Sequence, residues 1–193
     1  MHQKQIKKIK INGTTFSLDC RYQLVLDLIS DQFEKQSCSI DQLFGRDDKS
    51  TKILIDAVLE EGCDKDIAMT YFIAMALENY GEIERAGRAV AKMYERNSSD
   101  LLAKCAYVNH LMFANEVNKI PAVFNNTFDL DKICIEREMP LIIFVKFMSL
   151  VCDYYIIKND PRNFLKYFSY LKEVAPEHGD TQRLSAMLRG ASD

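Results

Sequence analysis

Apolar and polar positions first alternate along this chain and then recur in threes and fours. Residues 4–18, KQIKKIKINGTTFSL, alternate around Asn12-Gly13. That dipeptide suits a type I′ turn, which needs positive φ at both central residues, so the segment predicts a β-hairpin. Its apolar faces would come from Ile9, Ile11, Phe16 and Leu18. A lone hairpin is marginal in water, so it must lie on helices or pair with another segment. From Asp19 to Gln36, Tyr22, Val25, Leu26, Ile29 and Phe33 mark a helical stripe. Ser39 can cap a short helix over 40–44, closed by Gly45. After the polar turn GRDDKS, a helix from Ser50 or Thr51 to Glu61 would bury Ile53, Leu54, Ala57 and Val58.

The most informative stretch runs from Ala68 to Ser98. Its pattern predicts two amphipathic helices, about 66–80 and 82–96, joined by a tight turn at Gly81. The small residues Ala74 and Ala86 fall where the two helices would touch. A helix over about 100–113 follows, capped by Ser99 or Asp100, with Asn115 in the place of a turn glycine. A shorter helix is expected from Glu116 to about Phe124, with Pro121 in its first turns. Residues 125–138 read as a loop with one short extended piece. Pro140 opens a long apolar helix that reaches Lys158. Asn159-Asp160 then makes a turn into a helix over 161–174, packed through Phe164, Leu165, Phe168 and Leu171. Pro176 and Gly179 end it, and a last helix over 181–188 would cover the open end. The expected fold is all-α, an array of antiparallel helical hairpins with a small N-terminal β-hairpin. Residues 1–65 would hold the hairpin and helices packing on the array, and 66–193 the repeats with their C-terminal capping helix.

Composition sharpens this picture. With 193 residues, 48% hydrophobic and 27% charged, the chain can bury a sizeable core. A net charge of -3 is too near neutral to argue for a nucleic acid or an acidic membrane. Lys4, Lys7, Lys8 and Lys10 give the first ten residues a local positive charge, read most simply as a solvated edge strand. The six cysteines, Cys20, Cys38, Cys63, Cys105, Cys134 and Cys152, are scattered and form no C-x-x-C pair. They read as reduced thiols in a cytoplasmic protein. The start, MHQKQIKKIK, lacks the apolar run of a signal peptide. The longest apolar stretch, from Met139, carries Lys146 and Asp153 and so reads as a buried helix, with no membrane span expected.

Candidate chemistry is sparse, and no catalytic residue, metal ligand or cofactor site is expected. FGRDDKST at 44–51 lacks the second glycine of a phosphate loop, and Asp47 and Asp48 would repel a phosphate. Cys105 and His110 lie five apart on one helix and do not face each other. His2, His110 and His178 show no metal spacing.

The unit at 68–98 resembles a tetratricopeptide (TPR) repeat, whose small, large and turn positions fall on Ile73, Ala74, Leu77, Gly81, Ala86 and Val90. In the last unit they fall on Val151, Cys152, Tyr155, Asn159, Phe164, Phe168 and Pro176. The middle unit, at 100–132, keeps Tyr107, Val108, Leu111 and Phe124 but neither the turn glycine nor the closing proline. The resemblance implies a peptide groove lined by the first helix of each unit. Carried across, its positions are Tyr71, Met75, Glu78 and Asn79; Leu102, Cys105, Asn109, Met112 and Phe113; and Lys146, Ser149, Asp153 and Ile156. The alternative for Met and Tyr at this spacing is ordinary core. The size and three-unit layout are similar to the TPR-type chaperones of bacterial type III secretion, which implies a protein or peptide client and allows a homodimer. A second resemblance, to the start of a winged helix-turn-helix regulator, rests on the hairpin and the helices at 19–36, 39–44 and 50–61. Its would-be recognition helix carries Asp56, Glu60 and Glu61 against Lys52, which argues against phosphate contact.

Overall fold

A computed structural model of the protein describes residues 6–20 and 67–190. The helices expected over 19–36, 39–44 and 50–61 lie outside the described residues, except that Asp19 belongs to a strand. The chain divides into two compact units. One is continuous, Gln23–Val123, and the other joins Met1–Tyr22 to Phe124–Asp193.

In the continuous unit the described part is helical. Helix α1 (Ile67–Asn79) turns at Gly81 into α2 (Ile83–Arg96), and α3 (Leu101–Phe113) follows. A 3-10 turn (Val117–Lys119) then runs into the four-residue α4 (Ile120–Val123). Helices α1 and α2 pack on each other, α2 packs on α3, and α3 returns to touch α1. Ala74 and Ala86 are buried together with Ile73, Leu77, Val90, Met93 and Ala106, where the sequence places the close contact. Small side chains at a crossing let the helix axes approach, and the larger residues around them exclude water. Asp100 caps α3, its carboxylate accepting from the Ala103 amide at 2.9 Å. The helix expected over 116–124 is interrupted, and Asn125 and Asn126, both at positive φ, end it.

The second unit holds the sheet. Strands β1 (Ile6–Ile11) and β2 (Thr14–Asp19) pair antiparallel around Asn12 and Gly13, at φ 48° and 88°. Ile9, Ile11, Phe16 and Leu18 are all buried, as the alternation requires. The hairpin is completed from far along the chain. After the short helix α5 (Leu130–Ile133), strand β3 (Glu138–Pro140) pairs parallel with β2, giving the order β1-β2-β3. The fold is mostly helical with the expected N-terminal hairpin, which a third strand extends into a sheet. The sequence places a short extended piece somewhere within 125–138, whereas β3 begins only at Glu138, and α5 stands where loop was expected.

Helix α6 (Leu141–Ile157) follows, then α7 (Pro161–Val174) and α8 (Gly179–Gly190), two residues longer at each end than the sequence suggests. Helices α6 and α7 pack on each other, β1 meets α7, β2 meets α6, and α8 covers both helices. Phe144, Phe147 and Leu150 on α6 face this core with Phe124, whose ring meets Phe147 edge-on at 5.3 Å. Among the described residues, no helix is long and apolar enough to cross a membrane.

One connection recurs three times. After α1, the Gly81 amide donates to Glu78 O (3.0 Å) and the Glu82 amide to Leu77 O (2.8 Å). After α3, Asn115 donates to Met112 O (3.1 Å) and Glu116 to Leu111 O (2.7 Å). After α6, Asn159 donates to Ile156 O (3.0 Å) and Asp160 to Tyr155 O (2.9 Å). Gly81, Asn115 and Asn159 all have positive φ. This is the Schellman arrangement, in which a left-handed residue lets two amides satisfy the last carbonyls of the helix. Helices α1 and α3 begin and end 34 residues apart, and the elements after their turns, at Ile83 and Val117, also start 34 apart.

Candidate partner-binding site

Tyr71, Met75, Glu78 and Asn79 lie on one face of α1, since their spacing follows the helical turn. Leu102, Cys105, Asn109, Met112 and Phe113 do the same on α3. One hydrogen bond joins the two sets: Asn109 Nδ2 donates to Glu78 Oε2 at 3.2 Å. Asn79 is exposed and Phe113 is 56% exposed, each at the last position of its helix. Tyr71, Met75, Leu102, Asn109 and Met112 are half-buried. Cys105 has no exposed surface and is core in this conformation. Glu78 is also buried, so it acts between helices and not on their outer face.

The Glu78 carboxylate is shared. His110 Nδ1 lies 3.5 Å from Oε1, and the imidazole rests against Gly87 of α2. A methyl at Gly87 would stand 2.4 Å from His110 Nε2, so this glycine is the space the ring occupies. Burial pushes the His110 imidazole below its usual value, against a smaller upward pull from Glu116. Glu78 should also pull it up, but Nδ1 makes no hydrogen bond of good geometry, so we take burial to dominate. Sequence reasoning missed this contact. Its signal was a glycine inside a helix, which costs stability unless something needs the room.

In the second unit the third expected set lies on α6. Lys146 and Asp153 are half-buried and Ile156 is 39% exposed. Ser149 is buried, and its hydroxyl donates to Lys146 O at 3.0 Å in its own helix. Asp153 is held by Arg183 of α8 through two hydrogen bonds, at 2.9 and 2.8 Å. Its expected contact with a peptide would have to displace that pairing. Ile156 lines a largely apolar cavity of about 230 Å³ with Tyr155, Phe164, Met187 and Leu188. No local pattern signals this cavity, because α8 brings Met187 to it from a separate helix.

Burial first, and the Asp153 carboxylate second, push the Cys152 thiol up to about 12, so it is protonated and inert at neutral pH. Among the described residues, no group of three or more His, Cys, Asp or Glu could hold a metal ion. Compared with family models, curated proteins and solved structures, the chain finds no match.

Proposed function

We propose that the protein is a non-catalytic protein-binding module: a cytoplasmic adaptor or chaperone of TPR-like helical hairpins that holds a client peptide or helix. The recurrence of the same Schellman turn after α1, α3 and α6, with α1 and α3 offset by 34 residues, carries this reading. That offset is the length of one TPR unit, and a unit of this kind buries its apolar face only by stacking on a neighbour. The client-facing surface is the shared face of α1 and α3, floored by Met75 and Met112 and ending at Asn79 and Phe113. Methionine adapts its shape to varied apolar side chains, and an exposed asparagine can both donate to and accept from a peptide backbone. The type III secretion chaperones of bacteria are the subclass this layout suits.

The test is client capture by Asn79→Ala, Phe113→Ala protein. Both side chains are exposed, so the thermal melt should stay within a few degrees of wild type while capture of the wild type's stoichiometric partner falls. Unchanged capture would remove the α1–α3 face from the proposal. A second reading, the winged-helix regulator, needs helices that lie outside the described residues, and no observation favours it.

A further inference from the structure

The register of the hairpin sets which backbone groups of β1 face away from β2. With a two-residue turn, Ile11 and Thr14 form a hydrogen-bonded pair, and such pairs recur at Ile9↔Phe16 and Lys7↔Leu18. The intervening residues of each strand therefore turn their N–H and C=O groups outward. On β2 this is observed directly, because the Ser17 amide donates to Arg137 O at 2.8 Å, beside β3. On β1 the same alternation turns the backbone of Ile6, Lys8 and Lys10 to the opposite edge, where no described strand pairs with them.

The side chains of these three residues share the face opposite buried Ile9 and Ile11, and all three are exposed, Ile6 by 44%. Lys8 and Lys10 stand directly across from Ser17 and Thr15, and the one acid of β2, Asp19, stands across from Ile6, diagonal to Lys8 and two pairs away from Lys10 on the same face. Glu138, level with Ser17, is a further strand away, roughly 10 Å from Lys8 in the pairing direction. Lys7 is occupied elsewhere, its ammonium donating to Val174 O at the end of α7.

We infer that the outer edge of β1 takes an acidic extended segment of a partner protein as an added strand. Main-chain bonds to Ile6, Lys8 and Lys10 supply the pairing, and two carboxylates opposite the lysines with one apolar residue opposite Ile6 supply the selectivity. Lysines on an edge strand guard against indiscriminate pairing. Here they also exclude a second copy of this edge, which would bring like charges together, and admit a strand of opposite charge. This surface is separate from the α1–α3 face and does not depend on it.

The probe is a fluorescein-labelled threonine peptide in which three alternate positions carry Glu, Glu and Val, followed by anisotropy with the full chain. Binding should weaken about tenfold in the Lys8→Glu, Lys10→Glu protein and by less in Lys8→Gln, Lys10→Gln, with unchanged circular dichroism in both. N-methylation of alternate peptide amides should abolish binding, since it removes the main-chain donors and keeps the charge. Equal binding of the N-methylated peptide would reduce the effect to bulk attraction and overturn the inference. So would no binding at millimolar peptide, or lysine-dependent binding of oligo-dT without peptide binding. Self-association lost on charge reversal would give the edge to a second copy and likewise overturn it.

Discussion

The two units of this protein are built by opposite routes. The described helices of the continuous unit follow one another and pack on their sequence neighbours, as α1 does on α2 and α2 on α3. The split unit depends on a meeting of distant segments, since Leu18 pairs with Met139 and Asn12 donates to Asp129 (3.0 Å) and Asp131 (3.4 Å). Local packing can be read from periodicity and turn residues. Non-local pairing needs a partner that no local pattern names, and it carries a larger loop-closure cost. The comparison teaches where to look for each kind of function: repeated turns and faces in the helices, and, in the sheet, the edge of β1 with which no described strand pairs.

The largest expected effect falls on the core of the split unit. Phe147→Ala empties the space beside Phe124 and should cost about 3–5 kcal/mol in a urea titration. Hydrogen exchange should rise at Leu18 and Met139 if helix and sheet there share one core. Unchanged protection of the strands would mean that the sheet does not depend on α6.

The next effect tests the continuous unit at the one place where three of its helices meet around an imidazole. Gly87→Ala gains helix propensity, about 1 kcal/mol, but drives a methyl into His110. We expect a net loss of about 1–2 kcal/mol, reversed in the background of His110→Ala, where the methyl has room. A stabilised single mutant would show that the ring moves aside freely.

A smaller pair of changes tests the repeated turn. At Gly81 an added Cβ meets nothing within 4 Å, so any loss comes from the positive φ alone. Gly81→Ala should cost about 1 kcal/mol, and Gly81→Asn roughly half of that or less. Asparagine already fills the equivalent positions at 115 and 159. Equal losses would break the equivalence of the three turns.

The two units should also differ in acid. His110 has a folded value below the usual 6.5, so the unfolded chain binds the proton first. Its contribution is complete above that value and is lost as pH falls below it. The Lys132 ammonium first, with Asn12 and Lys166 adding, holds the Asp129 carboxyl below its usual 3.8. That contribution is complete above 3.8 and is lost only as pH falls further. Stability measured against pH should therefore fall first below pH 6.5, in a step removed by His110→Gln. A rise in stability there would mean that pairing with Glu78 outweighs burial.

Much of the helical part was legible because its signals are local. Gly81, Asn115 and Asn159 marked the turns, Asp100 a cap, and Ala74 and Ala86 the crossing. Strand β3 was harder to see, since three residues carry too little alternation to declare a strand, and its partner lies more than a hundred residues away. The site was legible as two faces, but periodicity cannot separate a groove from a core. It placed Cys105 and Ser149 beside Asn79 and Phe113, although the first two are buried and the others exposed. It also could not foresee that Arg183 would hold Asp153.

The most direct test of the binding reading is site-specific photocrosslinking in the source cells. A photoreactive residue is placed at Asn79, at Phe113 or at Arg88, whose side chain is 73% exposed on α2. The account predicts that positions 79 and 113 crosslink to the same discrete protein and position 88 does not. Equal labelling from all three positions, or none from 79 and 113, would contradict it.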